Sequence, residues 1–61
     1  MSKRLYLDLA KDIFLMKMED GRVLFVSNEE DFSEPIYRED IPYLSRGFGI
    51  SEEVLEDFFD N

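Results

Sequence analysis

The chain contains no cysteine, no histidine and no tryptophan. Without cysteine there is no disulfide framework, and without cysteine and histidine there is no zinc finger, iron–sulfur cluster or imidazole-based metal site. The serines have no histidine partner for nucleophilic catalysis. Glycine is scarce as well, at three residues, and Gly47-Phe48-Gly49 is neither a G-x-G-x-x-G fingerprint nor a P-loop. No long hydrophobic run exists. The apolar stretch after Met1-Ser2-Lys3-Arg4 is broken by Asp8, Lys11 and Asp12, which excludes a signal core and a membrane span there. These gaps set the first expectations: not an enzyme, no cofactor, no metal, no membrane partner, and an intracellular, cytoplasmic chain that is mature as written.

What the chain does have is 61 residues, rich in rings and acids. That length suits one domain spanning 1–61. A domain so short buries only about 60% of the surface its unfolded chain exposes, and a single core of this size usually supplies no more than roughly 3–5 kcal/mol of net stability. Six Phe and three Tyr are the main resource for that core, each ring burying about 150–250 Å².

The net charge of −8 is unevenly placed. Residues 1–28 sum to +1, whereas residues 29–61 hold eleven acidic groups against Arg38 and Arg46, a balance of −9. Such a half repels nucleic acid and anionic membrane and attracts basic surfaces. Lys3, Arg4 and Lys11 form a small basic patch that reads as a solubility feature.

The strongest local pattern is Ile13-Phe14-Leu15-Met16-Lys17-Met18, then Glu19-Asp20-Gly21-Arg22, then Val23-Leu24-Phe25-Val26-Ser27. Asp-Gly between two apolar runs signals a β-hairpin, because a two-residue type I′ turn needs positive φ at both central positions. With Asp20-Gly21 as the loop, Glu19 faces Arg22, Met18 faces Val23, Met16 faces Phe25 and Phe14 faces Ser27. One face then holds Phe14, Met16, Met18, Val23 and Phe25. The other holds Ile13, Leu15, Leu24 and Val26, with Lys17 near the turn. Apolar groups on both faces imply cover on both sides, at least in part.

Upstream, Leu5, Leu7 and Leu9 alternate with Tyr6 and Asp8, a strand period. A helical reading of Leu5, Leu9, Ile13 and Met16 competes with it. Residues 28–35 are acidic and end at Pro35, so they read as a loop, with Ile36-Tyr37-Arg38 a candidate fourth, edge strand. Asp40 and Pro42 suit the start of a short helix over 41–46, ended by Gly47, with Gly49 relaxing the next turn. Ser51 caps a last helix over 52–59, whose stripe Val54, Leu55, Phe58 and Phe59 is set to lie on the sheet. The expected fold class is α+β: a three-stranded antiparallel meander (about 4–9, 13–18, 23–27) with a short helical turn and a C-terminal helix packed on it.

The segment Tyr43-Leu44-Ser45-Arg46-Gly47-Phe48-Gly49-Ile50-Ser51-Glu52-Glu53-Val54-Leu55 resembles the second and third helices of helix-turn-helix proteins, and also the glycine–phenylalanine turn of ubiquitin-associated domains. The first resemblance implies DNA binding, but its recognition helix would present Glu52, Glu53, Glu56, Asp57 and Asp60 to phosphates, where donors are needed. The second implies a three-helix fold, and the hairpin occupies the stretch those helices need. No functional residue is carried over from either, and direct nucleic-acid binding is not expected.

Glu52–Glu56, Glu53–Asp57 and Glu56–Asp60 are like-charge pairs four residues apart, each destabilising by a few tenths of a kcal/mol, roughly 0.2–0.5. Asp57 and Asp60 also oppose the helix dipole. A local conflict of this kind points to a use outside folding, and a solvated, solubilising face is the competing account. Small acidic inhibitors of the kind phages encode are similar in size and charge balance. The functional expectation is a protein-binding module, a small acidic inhibitor or regulator that docks on a basic surface of another protein; a nucleic-acid channel is one such surface, where the carboxylates would stand in for phosphates. The candidate contact residues are Glu29, Glu30, Asp31, Glu34, Glu39, Asp40, Glu52, Glu53, Glu56, Asp57 and Asp60. The alternative is a structural or regulatory module that acts by hydrophobic self-association, as a homodimer, or by strand addition. Asn28-Glu29-Glu30-Asp31 lacks the spacing of a calcium loop.

Overall fold

The computed structural model describes residues 4–61; Met1, Ser2 and Lys3, including one member of the basic patch, lie outside them. Four antiparallel strands come first: β1 (Leu5–Ala10), β2 (Ile13–Lys17), β3 (Val23–Ser27) and β4 (Phe32–Ile36), side by side in chain order. A 3-10 turn over Arg38–Asp40 leads into α1 (Ile41–Phe48) and then α2 (Glu52–Asp60). The fold is α+β, with four strands where the sequence predicts three.

The β2–β3 turn sets the register. Met18 N–H donates to the Arg22 carbonyl (2.7 Å) and Gly21 N–H to the Met18 carbonyl (3.0 Å), so the loop has three residues, Glu19 to Gly21. Gly21 takes φ +94°, the left-handed position such loops require. Lys17 therefore opposes Val23, Leu15 opposes Phe25 and Ile13 opposes Ser27. This is one residue off the pairing expected from a two-residue Asp-Gly loop, and it exchanges face partners. Leu15, Lys17, Val23 and Phe25 share one face, while Phe14, Met16, Leu24 and Val26 share the other.

Both helices lie on the first face. Its core is Leu15, Val23 and Ile36 from the sheet, with Ile41 and Leu44 from α1 and Leu55 and Phe58 from α2. Leu7, Leu9, Phe25, Phe48, Ile50 and Phe59 pack around it. Val54, expected in the helical stripe, is instead exposed. The expectation of cover on both sides of the hairpin is also corrected: the helices cover one side, and the molecule is a slab 16 Å thick along its shortest axis.

β1 confirms the strand reading over the helical one, and a register shift between Asp8 and Ala10 lets the chain turn through Lys11 and Asp12. β4 takes in residues 32–35 of the segment read as a loop and only Ile36 of the candidate fourth strand, since Tyr37 and Arg38 lie beyond it; Pro35 sits within it. A proline is tolerated there because β4 is an edge strand and one side of it needs no ladder donor. Gly47 does not end α1. It sits within the helix, which Gly49 ends at φ +70°, donating its N–H to the Ser45 carbonyl (2.9 Å). Ser51 does cap α2, its Oγ accepting the Glu53 N–H at 3.1 Å.

Among the described residues Lys17 is the one buried cation, and it lies on the inner face. It is 8% exposed, and its Nζ donates to the carbonyls of Phe58 (3.3 Å), Phe59 and Asn61. A cation thus sits on the last turn of α2, where the helix leaves carbonyls without partners and its dipole is negative. Lys17→Met keeps the apolar stem and removes the donor. It is expected to cost about 1–2 kcal/mol, measured by urea unfolding, and to speed amide exchange in α2 more than in the sheet.

Candidate functional site

The eleven predicted contact carboxylates fall into three places. The largest group is on α2. At about 100° per residue, Glu52, Glu53, Glu56, Asp57 and Asp60 fill one continuous arc, with Leu55 and Phe58 on the opposite side and Phe59 at the arc's edge, and all five carboxylates are exposed. Of these only Asp60 has a cationic partner among the described residues: Arg38 of the 3-10 turn forms a salt bridge with it. That bridge also holds the end of the α2 stripe against the turn that carries Glu39.

The second group lies beside β4. Glu34, Glu39 and Asp40 line a shallow groove of about 420 Å³ together with Tyr37 and Tyr43, over a floor that includes Phe25 and Leu44. Asp40 is partly buried, and its Oδ2 accepts the Tyr37 N–H at 3.0 Å. It stands at the start of α1 but makes no side-chain cap there, so the expected capping role is replaced by closure of the 3-10 turn. Tyr37 and Tyr43 are 60% and 73% exposed. Sequence reasoning missed both. For Tyr43 a signal existed: helical periodicity sets it opposite Ile41, Leu44 and Phe48 on α1.

The third group, Glu29, Glu30 and Asp31, forms the β3–β4 turn, with Asp31 at φ +50°. Asn28 N–H donates to the Asp12 carbonyl (2.8 Å), which ties this turn to the β1–β2 turn at one end of the sheet. The carbonyls held by Lys17 lie at the other end, beyond the pairing of Lys17 with Val23. None of Glu29, Glu30 and Asp31 lines the groove beside β4.

A larger groove, about 490 Å³, runs between the β2–β3 turn and the end of α2, lined by Gly21, Arg22, Pro35, Tyr37 and Phe59 among others. Its arginines are already engaged, Arg38 with Asp60 and Arg22 with Asp20. Arg22 donates twice to Asp20, from its backbone N–H (3.0 Å) and from Nε (2.7 Å). The backbone bond first, then the guanidinium, holds the Asp20 carboxyl below its ordinary value of 3.8. Among the described residues no cluster of three acidic side chains is placed to hold a metal ion, and no helix is long and apolar enough to cross a membrane.

Two outcomes test this electrostatic description. In a carboxylate NMR titration Asp20 is expected to titrate below 3.8. Arg22→Ala should move it part of the way back, because the backbone donor, the larger cause, remains. The folded value lies below the unfolded one, so this contact stabilises above pH 3.8 and its contribution is lost as pH falls through the folded value. Asp57→Lys should replace a like-charge pair with a Glu53–Lys pair in the favourable order and place a cation in the last turn of α2. The expected gain is about 0.3–1 kcal/mol at low ionic strength, read from thermal unfolding and fading with added salt.

Comparison of the chain with protein-family models, with curated proteins and with solved structures finds no match.

Proposed function

We propose that this chain is a non-enzymatic protein-binding module of the cytoplasm, a small acidic inhibitor or regulator that docks on a basic surface of a partner protein. The observation that carries the reading is the α2 stripe: five exposed carboxylates on one arc, four of them without a cationic partner among the described residues. A stripe of this kind raises the encounter rate with a positive surface and disfavours neutral or acidic ones. The groove beside β4 supplies anchors. Two exposed tyrosine rings next to Glu34 and Glu39 suit an arginine, whose guanidinium pairs with a carboxylate and stacks on a ring. Tyrosine is also enriched among the residues that dominate binding energy at interfaces. A partner that normally holds nucleic acid offers the density of positive charge that such a face needs.

The test is capture of the partner from the chain's own cells by the wild-type protein and by a variant carrying E52Q, E53Q, E56Q and D57N. The neutralised variant is expected to fold normally and to lose the same partner at least about tenfold at low salt, with the difference shrinking as salt rises. Equal capture by both proteins, or wild-type affinity that is flat with salt, would count against the acidic surface as the recognition element.

A further inference from the structure

The face of the sheet turned away from the helices has a composition unlike the rest of this chain. Its two cross-strand rows are Tyr6, Met16, Leu24, Pro35 and Asp8, Phe14, Val26, Ser33. Six of these eight positions are apolar or aromatic, and Asp8 is the one charged group, in a chain of net charge −8. Tyr6 is 58% exposed and packs edge-on against Phe14 at 5.7 Å between ring centres. Phe14, Met16, Leu24 and Val26 are shielded only partly.

We infer that this face binds a second copy of the same chain, sheet on sheet. Two arguments select that occupant. The first is charge: a copy repelled by the acidic helix side can approach here, because the negative residues of α2 are then held on the two outer surfaces of the pair. The second is area. Four strands about 4.8 Å apart, each of five residues rising about 3.3 Å, give a face of roughly 300 Å² in projection. With side-chain relief, covering it on both copies removes on the order of 1,000 Å² from water, the lower bound for a specific interface.

Electrostatics also fixes the symmetry. A two-fold axis parallel to the strands would stack the acidic β3–β4 turn, residues 28–31, at the same end of the pair as its copy. A two-fold axis perpendicular to the strands sends the two turns to opposite ends. It lays one row over the other: Tyr6 over Asp8 of the copy, Met16 over Phe14, Leu24 over Val26 and Pro35 over Ser33. The Tyr6 hydroxyl then donates to the single carboxylate of the face, and sulfur meets an aromatic ring. The contact is isologous and closed.

This inference uses the face opposite α2 and does not depend on the basic partner, and salt separates the two. Docking through carboxylates weakens with salt, whereas association of two copies of charge −8 should tighten several-fold between about 0.05 and 0.5 M NaCl. Sedimentation equilibrium of the full chain is expected to show a monomer–dimer equilibrium with a dissociation constant of about 10–100 µM. Leu24→Glu and, at the more exposed position, Tyr6→Glu should each be monomeric throughout the same range, with wild-type circular dichroism. In a mixed-label sample, isotope-filtered NOEs should connect Leu24 to Val26 and Met16 to Phe14 between copies. A wild-type chain that stays monomeric at about 1 mM in high salt overturns the inference, as does a dimer that survives both folded variants.

Discussion

The hold of Lys17 on the end of α2 is the contact on which the rest of the molecule turns. α2 ends in Asp57 and Asp60, so its own sequence adds negative charge where the helix dipole is already negative. It has no basic residue in its last turn. The missing cation arrives from β2, through the core side of the sheet, and meets three carbonyls at once. Lysine can do this from an apolar layer because its stem is buried on the inner face, where Val23 is its cross-strand partner, while only the ammonium needs oxygen partners.

That arrangement depends on a turn. If Asp20-Gly21 alone formed the loop, Met16 and Met18 would join Val23 and Phe25 on the inner face, and Lys17 would point away from the helices. The three-residue loop, with Gly21 in the left-handed region, puts Lys17 inside. An alanine there would bring a Cβ into a backbone conformation that costs roughly 1–2 kcal/mol, although open space surrounds the position. A single glycine thus governs which side of the sheet receives the lysine, and through it where the acidic helix docks.

Several of these features are legible in the residues themselves, and the failures have identifiable causes. The Ser51 cap, the buried Leu55 and Phe58, the exposed carboxylate arc and the β2–β3 hairpin all follow from local rules that the tertiary structure respects. Register was not legible, because Asp-Gly serves both two- and three-residue loops and only the hydrogen bonds of Met18 distinguish them. β4 was hidden by its composition: Phe32, Ser33, Glu34 and Pro35 are all exposed, and Ile36 alone is buried, so the segment has almost none of the apolar alternation that marks a strand. Gly47 and Gly49 compete as helix stops. Glycine inside a helix costs only about 1 kcal/mol, and the residue that must adopt positive φ is the second. The candidate site was readable where it lies on one helix. It was not readable where it depends on the path of the chain, which brings Tyr37 and Tyr43 beside Glu34 and Glu39 but leaves Glu29, Glu30 and Asp31 at another end of the sheet.

A sheet with apolar residues on both faces and helices on only one leaves a choice that sequence patterning cannot express. Phe14, Met16, Leu24 and Val26 have the composition of a buried layer, yet the chain ends its helices on the other side. A core of seven buried apolar side chains among the described residues is small, and a domain of this length has little stability to spare. Burial of the second face by a copy would add apolar cover without adding chain. Because the acidic stripe and the open face lie on opposite sides of a slab 16 Å thick, pairing through one does not obstruct the other. A paired molecule would then present two acidic helices facing apart. A partner with two basic sites would meet them as one bivalent ligand, with the second contact formed at high effective concentration.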